Sequence, residues 1–200
     1  MSKYIFLFDL DSTVTRQEIL PTIAREIGIY EKMCSLTERT MRGEIPFKQS
    51  FMQRVGLLSD IPVSEIKRMT AEIELNDRLV DFIRANRERC YIVTGNLDIW
   101  IEDLMKKIGI EKNVFCSKAL VKDDRIQDVL SIVDKNAVIG QLVLPFVAVG
   151  DGNNDAEMIE GAEIGIGYGG VREIAPSVLA CATHAVYEED RLVDFLEKLI

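Results

Sequence analysis

The chain has 200 residues, enough for one domain with a modest insertion and a sizeable buried core. Its 24 Lys and Arg face 33 Asp and Glu, a net charge of -9, which argues against a nucleic-acid partner and against docking on an anionic membrane. Hydrophobic content of 48% with 28% charged residues is a globular composition, and the single histidine, His184, excludes a multi-histidine zinc site.

Acid–base or metal chemistry therefore falls to carboxylates. The cysteines Cys34, Cys90, Cys116 and Cys181 are widely separated and form no C-x-x-C pair. They read as core thiols in a reducing compartment, and a cytoplasmic location is expected. The first apolar run, residues 4–8, is too short for a signal segment or a membrane span.

In chain order, residues 4–8 are apolar without alternation, the pattern of a strand buried on both faces. Residues 16–89 carry helical periodicity. Ile19, Ile23 and Ile27 share a face, and Gly28 can end that helix. Phe47, Phe51, Val55 and Leu58 repeat at three-to-four spacing behind Pro46. Further helices are predicted from Pro62 past Ile73 and around Leu79–Ile83. From residue 90 onward strands alternate with helices. Strands are predicted at 90–94, 113–116, 145–149, 163–167 and 184–187, with a hairpin across 120–133. Helices are predicted at 97–108, 136–143, 156–162, 171–179 and 192–199.

The expected fold is α/β: a Rossmann-like parallel sheet with a small helical cap inserted after strand one. The core would comprise residues 1–15 and 76–200, and the cap 16–75.

Ligands of an open α/β sheet bind beyond the carboxyl ends of its strands. Strand one ends at Asp9, Asp11 and Thr13, and the strand at 145–149 ends at Asp151, Asn154 and Asp155. Carboxylates clustered in one crevice repel each other, and a hard divalent cation relieves that repulsion; oxygen ligands of this kind suit Mg2+. Such a site points to phosphoryl transfer. One carboxylate can attack phosphorus, and a second, two residues on, can move the leaving-group proton. Thr94 and Gly95, expected at a strand-to-helix turn, would supply a hydroxyl and an N–H to the phosphoryl oxygens, with Lys135 as the cation and Asn154 beside them.

Asp9-Leu-Asp-Ser-Thr-Val14, Val93-Thr94-Gly95, Lys135 and Gly150-Asp-Gly-Asn-Asn-Asp155 resemble, in order, the four motifs of haloacid dehalogenase superfamily phosphatases. The resemblance covers nearly the whole chain. It implies Asp9 as nucleophile and Asp11 as acid/base. It implies Mg2+ held by Asp9, the Asp11 backbone carbonyl and Asp151, with Asp155 ligating or supporting the site. Thr94, Gly95 and Lys135 would bind the phosphoryl group, with Lys118 as the competing lysine.

Within the superfamily the cap resembles that of phosphoserine phosphatases. Glu18 matches a residue that meets the substrate ammonium, and Arg54 one that pairs with its carboxylate. Met41 and Phe47 would wall the pocket. A small phosphorylated metabolite, O-phospho-L-serine first, is thus the implied substrate, with serine biosynthesis the implied pathway and a monomer or homodimer the implied assembly. A phosphatase or phosphotransferase for another metabolite, or a non-catalytic phosphate-binding module, are the alternatives. Two departures stand out. The family usually has Ser-Gly-Gly where this chain has Thr94-Gly95-Asn96, which sets Asn96 near the mouth of the pocket. The stretch from Lys135 to Asp151 is also short. The G-x-G-x-x-G at residues 165–170 begins inside a strand and reads as a tight turn, not a dinucleotide fingerprint.

Overall fold

A computed structural model describes residues 3–143 and 145–200. The first strand, β1 (Ile5–Phe8), is fully buried. Its side chains alternate between two cores: Phe6 and Phe8 pack on one face of the sheet, Ile5 and Leu7 on the other. That two-sided burial is why the run shows no polar alternation.

Four helices follow in the insertion: α1 (Ile19–Glu26), α2 (Tyr30–Met41), α3 (Phe47–Leu58) and α4 (Val63–Ala71). A single antiparallel bridge between Thr15 and Leu75 ties the two ends of this segment together. The chain then enters α5 (Asp77–Ala85), β2 (Cys90–Leu97) and α6 (Asp98–Ile108).

A hairpin follows, β3 (Val114–Lys122) and β4 (Arg125–Ser131). It is longer than its predicted strands and turns at Asp123 and Asp124, both at positive φ (51° and 57°), as a two-residue hairpin loop requires. The remaining elements are α7 (Lys135–Ile139), β5 (Phe146–Gly150), α8 (Ala156–Glu160), β6 (Ile164–Tyr168), α9 (Pro176–Cys181), β7 (His184–Val186) and α10 (Glu189–Glu197).

The seven-stranded sheet has the order β4-β3-β2-β1-β5-β6-β7, parallel except for the β3–β4 pair. The α/β expectation therefore holds. Chain order reverses at β1, which lies between β2 and β5, so the ligand crevice is expected outside the carboxyl ends of these three strands.

Two predicted elements differ in ways that matter. The helix predicted over 171–179 forms only at Pro176–Cys181, and Ala175 is extended (φ -59°, ψ 141°). A residue before proline is pushed out of the helical region, and proline itself is at ease in the first helical position. Residues 171–175 are thus a loop at the end of β6.

The second difference is in β2, which continues to Leu97 instead of turning at Thr94. Its pairing with β3 jumps from Val93↔Phe115 to Leu97↔Ser117. Thr94–Asn96 therefore form a bulge in the strand rather than a helix N-terminus, the kind of irregularity that re-aims side chains beside a site.

Candidate active site

Asp9 ends β1, and its N–H donates to the Val149 carbonyl at 2.9 Å. A wound turn at Leu10–Val14 then reverses the chain, with Asp11 extended and Ser12 left-handed at φ 57°. Ser12 N–H donates to Thr15 Oγ1 at 3.1 Å, and that hydroxyl donates to the Leu10 carbonyl at 3.0 Å. These bonds hold a conformation that costs a non-glycine residue energy. As a result Asp9 and Asp11 line the same pocket.

Asp151 and Asp155 come from the opposite side, at the end of β5. Thr13 Oγ1 donates to Asp151 Oδ1 at 3.2 Å, and Arg172 Nε donates to Asp151 Oδ2. Asp155 folds back through a short 3-10 turn. Its Oδ2 accepts the N–H groups of Asp151 (3.0 Å) and Gly152 (2.8 Å), and its Oδ1 accepts from Lys135 Nζ at 2.5 Å.

Lys135 also ion-pairs with Asp9, so it stands between two carboxylates at the floor of the site. The side chain of Asp134 caps α7 by accepting from Asn136 and Ala137 N–H at 3.0 and 3.3 Å, which fixes the helix start that carries Lys135. Lys118 is placed elsewhere. It is half exposed and pairs with Asp98 at 3.3 Å.

Burial dominates the electrostatics. It pushes the Asp151 carboxyl up to about 7 despite Arg172 beside it. Burial also raises Asp9, reinforced by the charge of Asp155 and opposed by Lys135. For Lys135 burial alone would favour the neutral amine, but the Asp155 and Asp9 charges win and hold it protonated. Burial raises Asp11 too, while the Ile19 N–H (2.8 Å) and the Asn96 amide (2.5 Å) pull it back by binding its charged form.

Asp9, Asp151 and Asp155 each offer a carboxylate oxygen, all within 4.8 Å of one another. The donors are hard oxygens, and the three buried carboxylates, with the part-exposed Asp11 beside them, outnumber Lys135 and Arg172. A divalent cation bound by oxygen fits this set. Asp155 holds Lys135 and the Asp151 and Gly152 N–H groups, so its part is to brace Lys135 and the loop after β5. Asp151 accepts from the Thr13 hydroxyl and Arg172, and Asp9 from Lys135, and both would also offer oxygen to the cation.

Among the phosphoryl-side residues, Gly95 and Asn154 line the pocket with Asp9 and Asp11. A Cβ on Gly95 would overlap the ring of Phe47, so any larger residue there would push that ring aside. Thr94 is fully buried, and its hydroxyl accepts from the Asn96 N–H (3.2 Å) and side-chain amide (3.0 Å). Asn96 is therefore not at the mouth of the pocket: the bulge in β2 turns it inward onto Asp11.

On the insertion side, Glu18, Phe47 and Arg54 line the same pocket. Phe47 stacks on Phe51 with centroids 5.8 Å apart and lies 5.8 Å from the Arg54 guanidinium. The side chain of Met41 lies outside the described residues. Glu18 ion-pairs with Arg172.

Arg172 was not anticipated from sequence. It bridges Glu18 and Asp151 from the loop after β6, and Ala175 N–H ties that loop to the Asp151 carbonyl at 2.8 Å. Two signals could have found it. Pro176 marks residues 171–175 as non-helical, and β6 ends on the same edge of the sheet as the other site strands.

Comparison with known proteins agrees with this geometry. The sequence profile of the haloacid dehalogenase-like hydrolases matches residues 6–160. A phosphoserine phosphatase of Methanocaldococcus jannaschii is 31% identical over 181 residues, covering 83% of this chain and 85% of that protein. One of Archaeoglobus fulgidus is also 31% identical over 83% of this chain, which spans about half (52%) of that longer protein. A phosphoserine phosphatase solved as a phospho-aspartyl intermediate analogue superimposes with a TM-score of 0.79 at 26% identity, covering 98% of this chain and 99% of that one. The chain belongs to the haloacid dehalogenase-like hydrolase family.

Proposed function

We propose that this hydrolase cleaves small phosphomonoesters through a phospho-aspartyl intermediate on Asp9. The observation that carries the reading is the convergence on Asp9: it lines one pocket with Asp11, pairs with Lys135 behind it, and has a carboxylate oxygen within 4.8 Å of one on Asp151. Residues 16–75 are read as a cap over a core of 1–15 and 76–200, because Glu18, Phe47 and Arg54 face that floor from the insertion.

Asp9 attacks phosphorus through the carboxylate oxygen that Lys135 does not hold. The ester P–O bond breaks, and Asp11 gives its proton to the departing alkoxide. Asp11, now charged, takes a proton from water, and the hydroxide displaces Asp9 to release phosphate. Lys135 holds Asp9 in place and opposes the effect of burial on it, favouring the ionised form. Asn96 steadies Asp11 in its charged form between the two steps. Gly95 leaves room for the phosphoryl oxygens below Phe47, with Thr94 and Asn154 beside them.

Mg2+ would be held by Asp9, Asp151 and the Asp11 carbonyl. When bound, the ion screens the phosphoryl oxygens from the surrounding carboxylates and makes phosphorus more electrophilic. Asp155 supports the site through Lys135 and the Asp151 and Gly152 N–H groups.

Arg54 makes no hydrogen bond or ion pair among the described residues, and its Nε is buried. A buried guanidinium of this kind calls for an anion, so the substrate carries a carboxylate besides its phosphate. O-phospho-L-serine is the reference member of that class, because the relatives are named for it. A second reading, a phosphorylated acid without an amine, is favoured by one observation: Glu18 already has a cation, Arg172.

The test is phosphate release from a panel of phosphomonoesters with and without Mg2+. Release that requires Mg2+ and is fastest with carboxylate-bearing esters supports the reading. No release from any member overturns it.

A further inference from the structure

Arg172 carries an observation that the reaction itself does not use. Its guanidinium reaches Glu18 through NH1 and Asp151 through Nε, so one cation is anchored at two points. Such a fork is held more firmly than a single contact, because both ends must let go together. The loop that carries it is tied down as well, by the Ala175 N–H on the Asp151 carbonyl.

Outside the acidic floor, the charged groups lining the pocket are Glu18, Arg54 and Arg172. Glu18 is satisfied by Arg172 and accepts a further, longer hydrogen bond from Ser12 Oγ at 3.4 Å. What is left over is Arg54. Its Nε and the Thr37 hydroxyl are buried polar atoms with no hydrogen-bond partner among the described residues, and both residues line this pocket. Buried donors left without acceptors point to a ligand that brings acceptors. An incoming ammonium would offer only donors. It would meet a carboxylate already neutralised and a guanidinium of its own sign beside it.

We propose that Arg172 is a specificity-determining residue: as the fixed counter-ion of Glu18 it selects phosphomonoesters whose far end is anionic and carries no amine. This rests on the phosphomonoesterase reading above and narrows its substrate class. Arg172 takes the position beside Glu18 that a substrate ammonium would otherwise fill, and Arg54 with Thr37 receives the carboxylate.

The test compares O-phospho-L-serine with its amine-free counterparts, 3-phosphoglycerate and 3-phosphooxypropanoate, which keep the chain length, phosphate and carboxylate. Wild-type kcat/KM is expected to favour the amine-free esters by ~10-fold or more, the size of one charge-assisted hydrogen bond. Arg172→Gln frees Glu18 and is expected to narrow or reverse that ratio, mainly through KM. Glu18→Gln serves as the second variant, in case Arg172→Gln does not fold. With Arg172 losing an anchor, Glu18→Gln weakens the amine-free esters at least as much as phosphoserine.

A wild-type preference for phosphoserine, with Glu18→Gln harming phosphoserine alone, overturns the proposal. Calorimetric binding of the same three esters to the Asp9→Asn protein gives a readout independent of turnover. If nothing is hydrolysed, the catalytic reading fails, while the ranking of affinities still decides the role of Arg172: tighter binding of the amine-free esters sustains it, and tighter binding of phosphoserine sinks it.

Discussion

Asn96 donates its side-chain amide to Asp11 Oδ2 at 2.5 Å. The same amide lies 3.0 Å from the Thr94 hydroxyl, so a single side chain links the proposed acid–base residue to the bulge of β2. The bond favours the charged form of Asp11 and opposes the effect of burial, which raises this carboxyl above the ordinary range.

The sign of its removal follows. Asn96→Gly takes away a donor to the carboxylate, so Asp11 holds its proton to higher pH. The first chemical step needs protonated Asp11. The alkaline limb of kcat is therefore expected to move upward in Asn96→Gly, with relative activity at high pH increased over wild type. A pH–rate profile of both proteins checks this; an unmoved or lowered alkaline limb contradicts it.

Lys135 is the cation between Asp9 and Asp155 and is almost fully buried. Lys135→Met would leave two buried carboxylates without their counter-ion, at a cost of about 3–5 kcal/mol for breaking a buried pair. The expected result is a clear drop in Tm by calorimetry together with loss of phosphate release. A protein that loses activity but keeps the wild-type Tm would show that Lys135 matters to chemistry alone.

Metal binding and protons compete for the same oxygens. The Asp151 carboxyl sits at about 7 in the fold and near 3.9 in an unfolded chain. For a raised acid the metal-free folded protein holds the proton more tightly. That contribution is fully present below about 3.9 and is lost as pH rises through about 7. The metal-free protein therefore carries a growing penalty from this group between those values, and a divalent cation relieves it. Mg2+ is expected to raise Tm more at pH 8 than at pH 5.5. Equal shifts at both values would contradict the assignment of Asp151 as a metal donor.

Gly165 separates structure from function in the glycine-rich stretch of β6. A Cβ there would overlap the Ile159 carbonyl and crowd its side chain, and backbone cannot step aside as a flexible side chain can. Gly165→Ala is expected to lower stability by about 1–3 kcal/mol, the range for overpacking, with kcat and KM of the folded protein near wild type. Denaturant titration and steady-state kinetics check the two halves separately.

Much of the site was legible because strand ends announce themselves. The apolar run before Asp9 and the one before Asp151 both stop at a carboxylate, and parallel strands deliver their ends to one edge. Lys135 was identifiable by its position ahead of a helix, although nothing local distinguished it from Lys118; the choice depends on a contact 126 residues away in sequence. Arg172 was hidden for the opposite reason. Its neighbours are apolar at helical spacing, and the proline that interrupts the helix lies four positions later. Asn96 looked like a side chain at the pocket mouth because the bulge in β2 is set by pairing with β3, which local sequence does not display.

A phosphoryl group carried on Asp9 is an acyl phosphate that can be trapped. Rapid acid quench of the Mg2+-loaded enzyme with a radiolabelled phosphomonoester, followed by peptide mapping, tests for it directly. Label is expected on the peptide containing Asp9, sensitive to hydroxylamine, with neither label nor phosphate release in Asp9→Asn. Steady hydrolysis by wild type without a labelled Asp9 peptide, or by Asp9→Asn at the wild-type rate, would contradict it.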